Sequence, residues 1–357
     1  MGTTPMSEAE YGWTPTLEQL RPQPLPQPRG PLTAWLFDHL SSPPHDVGGA
    51  PLPSDDPVHG EDSALALYVL YELHYRGFAG VSEDWEWEPS LLAVRRGLEQ
   101  RFITRVTELV GELPAATDVV SGLQEAMSIV DGPSLSMYAA EHATLDELRE
   151  LAVHRSAWQL KEADPHSWAL PRLAGRPKAA LVEIQKDEYG EGVERDMHQV
   201  LFGLTMTELG LDAAYGYYLD HLPAVTLATV NLVSLFGLHR KWRGALCGHL
   251  ATFEMTSVGP MGNYAAAMRR LGLSTDSRHF YEVHVVADAH HSTVGAEALA
   301  GGLVEQEPEL LGQVMFGAAA VSVLERAFAD HALRCFTAGE SSLRLPLEDA
   351  EAQRGVA

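Results

Sequence analysis

Two cysteines in 357 residues, Cys247 and Cys335, are too few for a disulfide scaffold and too far apart for a CxxC pair. They read as small buried apolar side chains in a reducing compartment. No run of about 18 consecutive apolar residues occurs, so nothing is expected to span a bilayer. The first residues, MGTTPMSEAEYGW, lack the basic start and apolar centre of a signal peptide, and Met6 stands where a myristoylation signal wants Ser or Thr. Basic residues are scarce: 25 Lys and Arg against 49 Asp and Glu leave a net charge of −24. Such a surface repels phosphate backbones and anionic lipid, so neither nucleic acid nor membrane is an expected partner. The expectation is a soluble, cytoplasmic protein.

Several motifs are missing as well. There is no Gly-x-Gly-x-x-Gly, no Gly-x-x-x-x-Gly-Lys and no Gly-x-Ser-x-Gly elbow. Neither the His-Glu-x-x-His of zinc proteases nor the Glu-x-x-His of ferritin-like diiron bundles is present. Alternating Val-, Ile- and Thr-rich runs are rare, and no Asn-Gly joins two of them.

Proline is concentrated in one place. RPQPLPQPRGP (21–31) and SSPPHDVGGAPLPSDDP (41–57) flank LTAWLFDHL, a run long enough for one or two helical turns. Residues 1–60 therefore read as a Pro-rich N-terminal arm resting on the surface through Trp35, Leu36 and Phe37. From Glu61 onward apolar residues recur at spacings of three and four. The spacing predicts helices over Ser63–Tyr75, Glu88–Val110, Thr144–Lys161, Pro177–Tyr189, Glu194–Leu209, Leu211–His221, Pro223–Leu238, Arg243–Thr256, Gly262–Leu271, Phe280–Ala300 and Pro308–Cys335. Thr144 and Glu147 form a capping box for one of them. The class is all-α: a helical domain over 61–340, with no fixed repeat, and a charged tail over 341–357.

Histidine is abundant, sixteen residues in all. In FYEVHVVADAHHSTV, His284, Asp288 and His291 lie at about 0°, 40° and −20° around a helix, a single stripe. Two imidazoles and a carboxylate on one stripe suit a metal, and His290 points elsewhere. Glu188 precedes His198 by ten residues, and Gly190 and Gly192 interrupt the helix between them. Glu162 is expected in a helix's last turn before Asp164-Pro165, where its charge opposes the macrodipole unless a cation compensates. Glu254 interrupts the apolar stretch GALCGHLATFEMTS, and pairing with Arg243 or Lys241 is the alternative to metal binding there. Four carboxylates and three imidazoles exceed one metal's needs and imply two, bridged by carboxylate. Without thiolates the donors suit iron or manganese.

The residues from about 140 to 295 resemble the haem-oxygenase-like diiron oxidases and oxygenases, the iron-containing redox enzymes. The stretches that carry the likeness are KEADPHSWALPRL, EIQKDEYGEG followed by Met197-His198, NLVSLFGL, GHLATFEMTS and EVHVVADAHH. The resemblance implies a haem-oxygenase-like helical bundle whose metal ligands are Glu162, Glu188, His198, His284, Asp288 and His291. It makes Glu254 a late-recruited ligand with a catalytic part. It implies two Fe(II) per chain reacting with O₂ to a peroxo-diferric oxidant, with electrons from an external reductant. The expected activity is that of a nonhaem diiron monooxygenase or oxidase acting on a small amine-bearing metabolite, an amino acid by preference, through N-oxygenation. C–C cleavage or desaturation of an amino or fatty acid is the alternative within the family. A non-catalytic helical binding protein is the alternative outside it, and a haem protein would instead need one axial His over an apolar pocket. Arg269, Arg270 and Arg278 are candidates for a substrate carboxylate, and Asp187, Tyr189 and His166 for support of the ligands. A homodimer is admitted as an assembly.

Overall fold

The computed structural model describes residues 13–113, 115–116 and 118–347. The leader and myristoylation readings of residues 1–12, and the last ten residues of the tail, lie outside them. Among the described residues there is no β-strand, and one isolated bridge joins Pro24 to Ala79.

The centre is α10 (Ala224–Leu238), an apolar helix buried along nearly its whole length. A helix apolar all round must lie inside its domain, and the others are layered about it. α2 (Glu61–Glu72) lies on one side, where Asn231 donates to the Ala64 carbonyl at 2.9 Å. On the other side α11 (Arg243–Thr256) packs along α15 (Leu311–Ala338). Their backbones meet at two glycines: a Cβ on Gly248 would strike the Val314 carbonyl oxygen, and one on Gly317 that of Ala245. α3 (Pro89–Val110), α4 (Val119–Met127), α5 (Leu135–Glu141), α6 (Leu145–Gln159) and the short α7 (Asp164–Ser167) complete the first half. α8 (Gly175–Glu188), α9 (His198–Glu208), α12 (Val258–Arg270), α13 (Thr275–Thr293) and α14 (Gly302–Gln306) belong to the second. The capping box at α6 is present: Glu147 N–H donates to the Thr144 hydroxyl at 3.2 Å, and Thr144 N–H to the Glu147 carboxylate at 2.7 Å.

Differences from the sequence reading have local causes. LTAWLFDHL forms α1 (Pro31–Leu40), and Leu32, Leu36, Phe37 and Leu40 are core residues rather than a surface anchor. Asp62 holds the start of that helix, accepting from Leu32 N–H and Thr33 N–H at 2.8 Å each, so α1 and α2 fold as a pair. The helix expected over Leu211–His221 is a set of turns ending in one 3₁₀ turn at Leu219–His221. Asp212 accepts from Ala214 N–H at 2.8 Å, an Asx turn that competes with helix, and Gly216 takes φ 83°. The helix expected from Glu194 begins at His198. The one expected over Phe280–Ala300 starts earlier, at Thr275, and passes into a π-helical turn over Val294–Gly301. In the tail, Ser342 is buried, donating to Glu150 at 2.6 Å. By length and composition α15 is apolar enough to cross a membrane, yet half of that window is buried within the domain.

The α11–α15 crossing depends on the absence of two side chains. Gly248→Ala and Gly317→Ala are each expected to destabilise the protein by about 1–3 kcal/mol through overpacking. Gly97→Ala in α3, where a Cβ meets nothing within 4 Å, should be neutral or stabilising by up to ~1 kcal/mol. Urea melts of the three variants test this, and equal effects at the three sites would refute it.

Candidate metal centre

The seven side chains singled out in the sequence come from five places in the fold. Glu162 stands in the turn between α6 and α7, not in a last helical turn; α6 ends at Gln159. Glu188 is the last residue of α8 and His198 the first of α9. Glu254 lies near the end of α11, and His284, Asp288 and His291 share the buried side of α13. They assemble into two groups: Glu162, Glu188, His198 and His284 in one, Glu254, Asp288 and His291 in the other. Within each group, one nitrogen or oxygen per residue lies within 4.8 Å of the others.

Local sequence makes these approaches possible. Gly190, at φ 59°, turns the chain directly after α8, and a Cβ there would collide with Asp196 and Met197. The chain doubles back, leaving Glu188 Oε2 3.0 Å from His198 Nδ1. His284 Nε2 is 3.6 Å from Glu162 Oε2, and His291 Nδ1 is 3.6 Å from Glu254 Oε2 and 3.8 Å from Asp288 Oδ1. The π turn places Gly295 so that a Cβ would touch the Glu254 side chain at 3.4 Å; the bare backbone leaves that side chain its room. π turns of this kind often mark functional sites.

Buried polar atoms normally find hydrogen-bond partners. Here Glu162 Oε2, Glu188 Oε2, Glu254 Oε2, His198 Nδ1, His284 Nε2 and His291 Nδ1 are all buried without one. These are the atoms that face one another across the two groups. A cation in each group would satisfy them together, and the donor set of carboxylate and imidazole suits iron or manganese. Cys247 is no competitor: burial pushes its thiol up to about 12, and it belongs to neither group. Partners outside the groups fix the ligand atoms. His284 Nδ1 lies 2.8 Å from the Phe280 carbonyl oxygen, so it carries a proton there and Nε2 is the atom that faces Glu162. Ser257 donates to Asp288 Oδ2 at 2.5 Å.

Electrostatics tell the same story. Burial pushes the Glu254 carboxyl well up, and the nearby charges of Asp288 and Glu188 push it further. Burial likewise raises Glu162. Burial would also raise Glu188, but His198, His284 and His291 outweigh it and hold that carboxyl down at about 2. For His284 burial favours the neutral ring, yet Glu162, Glu188 and Asp288 prevail and bring it up to about 10. His291 is raised too, its burial outweighed by Asp288 and Asp187. Glu188 thus feels the charge of imidazoles in both groups, as Glu254 does through His284.

Of the supporting candidates, Asp187 Oδ2 lies 3.7 Å from His291 Nε2. Tyr189 instead donates to Asp164 at 2.8 Å, and His166 pairs with His249 at 3.1 Å while lining the metal cleft. Arg269 and Arg278 both pair with Glu282, and Arg270 donates to the carbonyls of Ala139, Ala140 and Ala143. None of the three lines the cleft. Arg243 pairs with Glu307, not Glu254. Ser257 and Gly295 were missed; a lone Ser after a Thr, and a Gly in an apolar run, carry no sequence signal for these parts.

The model of the family described as iron-containing redox enzyme matches residues 149–326, half of the chain and the segment that supplies all seven side chains. The chain belongs to the iron-containing redox enzymes. No curated protein matches it. As an iron-containing oxidoreductase of this family, it carries its all-α bundle in the haem-oxygenase-like class.

Without metal, Glu254, His284 and His291 are all raised above their ordinary values, which favours their protonated forms. Metal bound to these side chains would displace such protons, so affinity should rise with pH, with at most one of these protons released on filling the His284 group and two on filling the Glu254–His291 group. Anaerobic Fe(II) calorimetry in buffers of different ionisation enthalpy measures that number. No proton release would mean these residues are not the ligands. Ser257→Ala should lower Fe(II) affinity about 10–100-fold by freeing the Asp288 carboxylate.

Proposed function

We propose that this chain binds two iron ions, one in each group, and uses O₂ to oxidise a small amine-bearing metabolite by N-oxygenation. The observation that carries the reading is the pair of buried groups whose facing atoms lack any other partner. Glu162, Glu188, His198 and His284 would hold one ion, and Glu254, Asp288 and His291 the other. Iron held there supplies the redox chemistry with O₂.

The chain's own residues do the rest. The cleft between the groups has a volume of about 40 Å³, and Trp158, Leu250, Phe253 and Met261 form its apolar lining. The Phe280 carbonyl and Ser257 keep the His284 ring and the Asp288 carboxylate in place. Glu254 packs beside Gly295 and would serve as the ligand recruited late. In the overall reaction one oxygen atom joins the nitrogen and the other leaves as water, so two electrons must come from an external reductant.

Anaerobic titration should show about two Fe(II) bound per chain, falling to about one in His291→Ala with the other group intact. Mass spectrometry after O₂ exposure with an amine substrate should show a product heavier by oxygen on nitrogen. A shortened fragment or an alkene would replace N-oxygenation with C–C cleavage or desaturation. Binding of no iron would end the enzyme reading.

A further inference from the structure

A second pocket, a chamber of about 270 Å³ with Ser134, Thr256 and Pro260 at its exposed rim, adjoins the metal cleft. Its walls come from α5, α6, α11, α12, α13 and α15, and Trp158, Glu162, Phe253, Ser257 and Met261 line both spaces. One end of the chamber therefore lies against the cleft. The volume equals that of about nine water molecules at ~30 Å³ each, which suits a phenyl ring on a two- or three-atom chain.

The chamber's chemistry is narrow. Trp158, Phe253, Tyr264, Tyr281 and Phe328 present aromatic surface, with Trp158 and Phe253 stacked at 5.5 Å. Arg155 is the cation on the wall, and both its terminal nitrogens are taken by Glu325 at 2.9 and 2.6 Å. Its guanidinium lies 4.4 Å from the centre of the Phe328 ring. A carboxylate or phosphate entering the chamber thus meets no free cation, and a second ammonium group finds Glu325 already occupied. The buried Gln159 amide oxygen on this wall has no hydrogen-bond partner. Gln159 stands three residues before Glu162, and its amide can turn to accept an N–H.

We propose that this chamber holds the body of the substrate and selects an uncharged aromatic one. The substrate class is an arylalkylamine without a carboxylate. Its ring packs among Trp158, Tyr264, Tyr281 and Phe328, and its nitrogen donates to Gln159 beside Glu162. The assignment rests on the amine chemistry proposed above, but binding can be measured apart from it.

The test is calorimetric titration of the full chain, metal-free and loaded anaerobically with Fe(II). The probes are 2-phenylethylamine, 1,5-diaminopentane and dodecanoate. 2-Phenylethylamine is expected to bind at least tenfold more tightly than either other probe. Ala329→Phe, which fills the chamber, should abolish that binding, and Gln159→Leu should weaken it about tenfold. Both variants should take up iron as the parent does. Absence of 2-phenylethylamine binding in both forms, equal binding of the other probes, or an unaltered Ala329→Phe would overturn the assignment. Arylamine binding without iron uptake would sink the iron reading and leave the chamber standing; iron uptake without arylamine binding would do the reverse.

Discussion

Repulsion among four carboxylates held inside one apolar bundle is the constraint around which the molecule is arranged. Each would cost several kcal/mol if left charged and unpaired in such a place. Three imidazoles reduce the cost without removing it, because six of the facing atoms still lack a partner. Protons or cations must make up the difference. The seven side chains arrive from the α6–α7 turn, the end of α8, the start of α9, α11 and α13, so the groups exist only when the bundle is closed. Metal binding and folding are therefore coupled: an ion that binds the closed form stabilises it by mass action.

The part of the chain before the family match contributes to this closure. Glu162 is preceded by Lys161, a fully buried cation whose ammonium lies 3.0 Å from Glu72 of α2. Tyr215 donates to the same Glu72 oxygen at 2.5 Å, and the Tyr75 ring centre lies 4.0 Å from the ammonium. Such a pair is strongly directional, since removing either partner strands a buried charge. The turn that presents Glu162 is thus tied to α2, and α2 to α1 through Asp62. Residues 31–72 hold the site from behind.

The fold and the site were legible to different depths. Helix class and most helices followed from spacing, because burial on one side imposes the 3.6-residue period whatever the tertiary partner. The α13 stripe was readable for the same reason: 284, 288 and 291 are neighbours on any helix. The Gly190 turn was readable because glycine announces a backbone that side chains disfavour. What failed were features set by tertiary contacts. The buried role of Leu36 and Phe37 depends on Asp62, thirty residues away, and the turns over 211–218 depend on an Asx geometry that apolar spacing conceals. Ser257 and Gln159 matter only through what the bundle brings beside them.

The division of labour between helices bears on how such a protein changes its substrate. The metal groups draw on α8, α9, α11, α13 and the Glu162 turn, whereas the chamber draws mainly on α5, α6, α12 and α15. Only the Glu162 turn, α11 and α13 serve both. Substitutions at Leu135, Leu151, Tyr264 or Ala329 can reshape the chamber without touching a carboxylate or imidazole of the metal groups. The Arg155–Glu325 pair marks the limit of that freedom: changing one member alone leaves a partly buried charge uncompensated, which favours a charged substrate that replaces the missing partner.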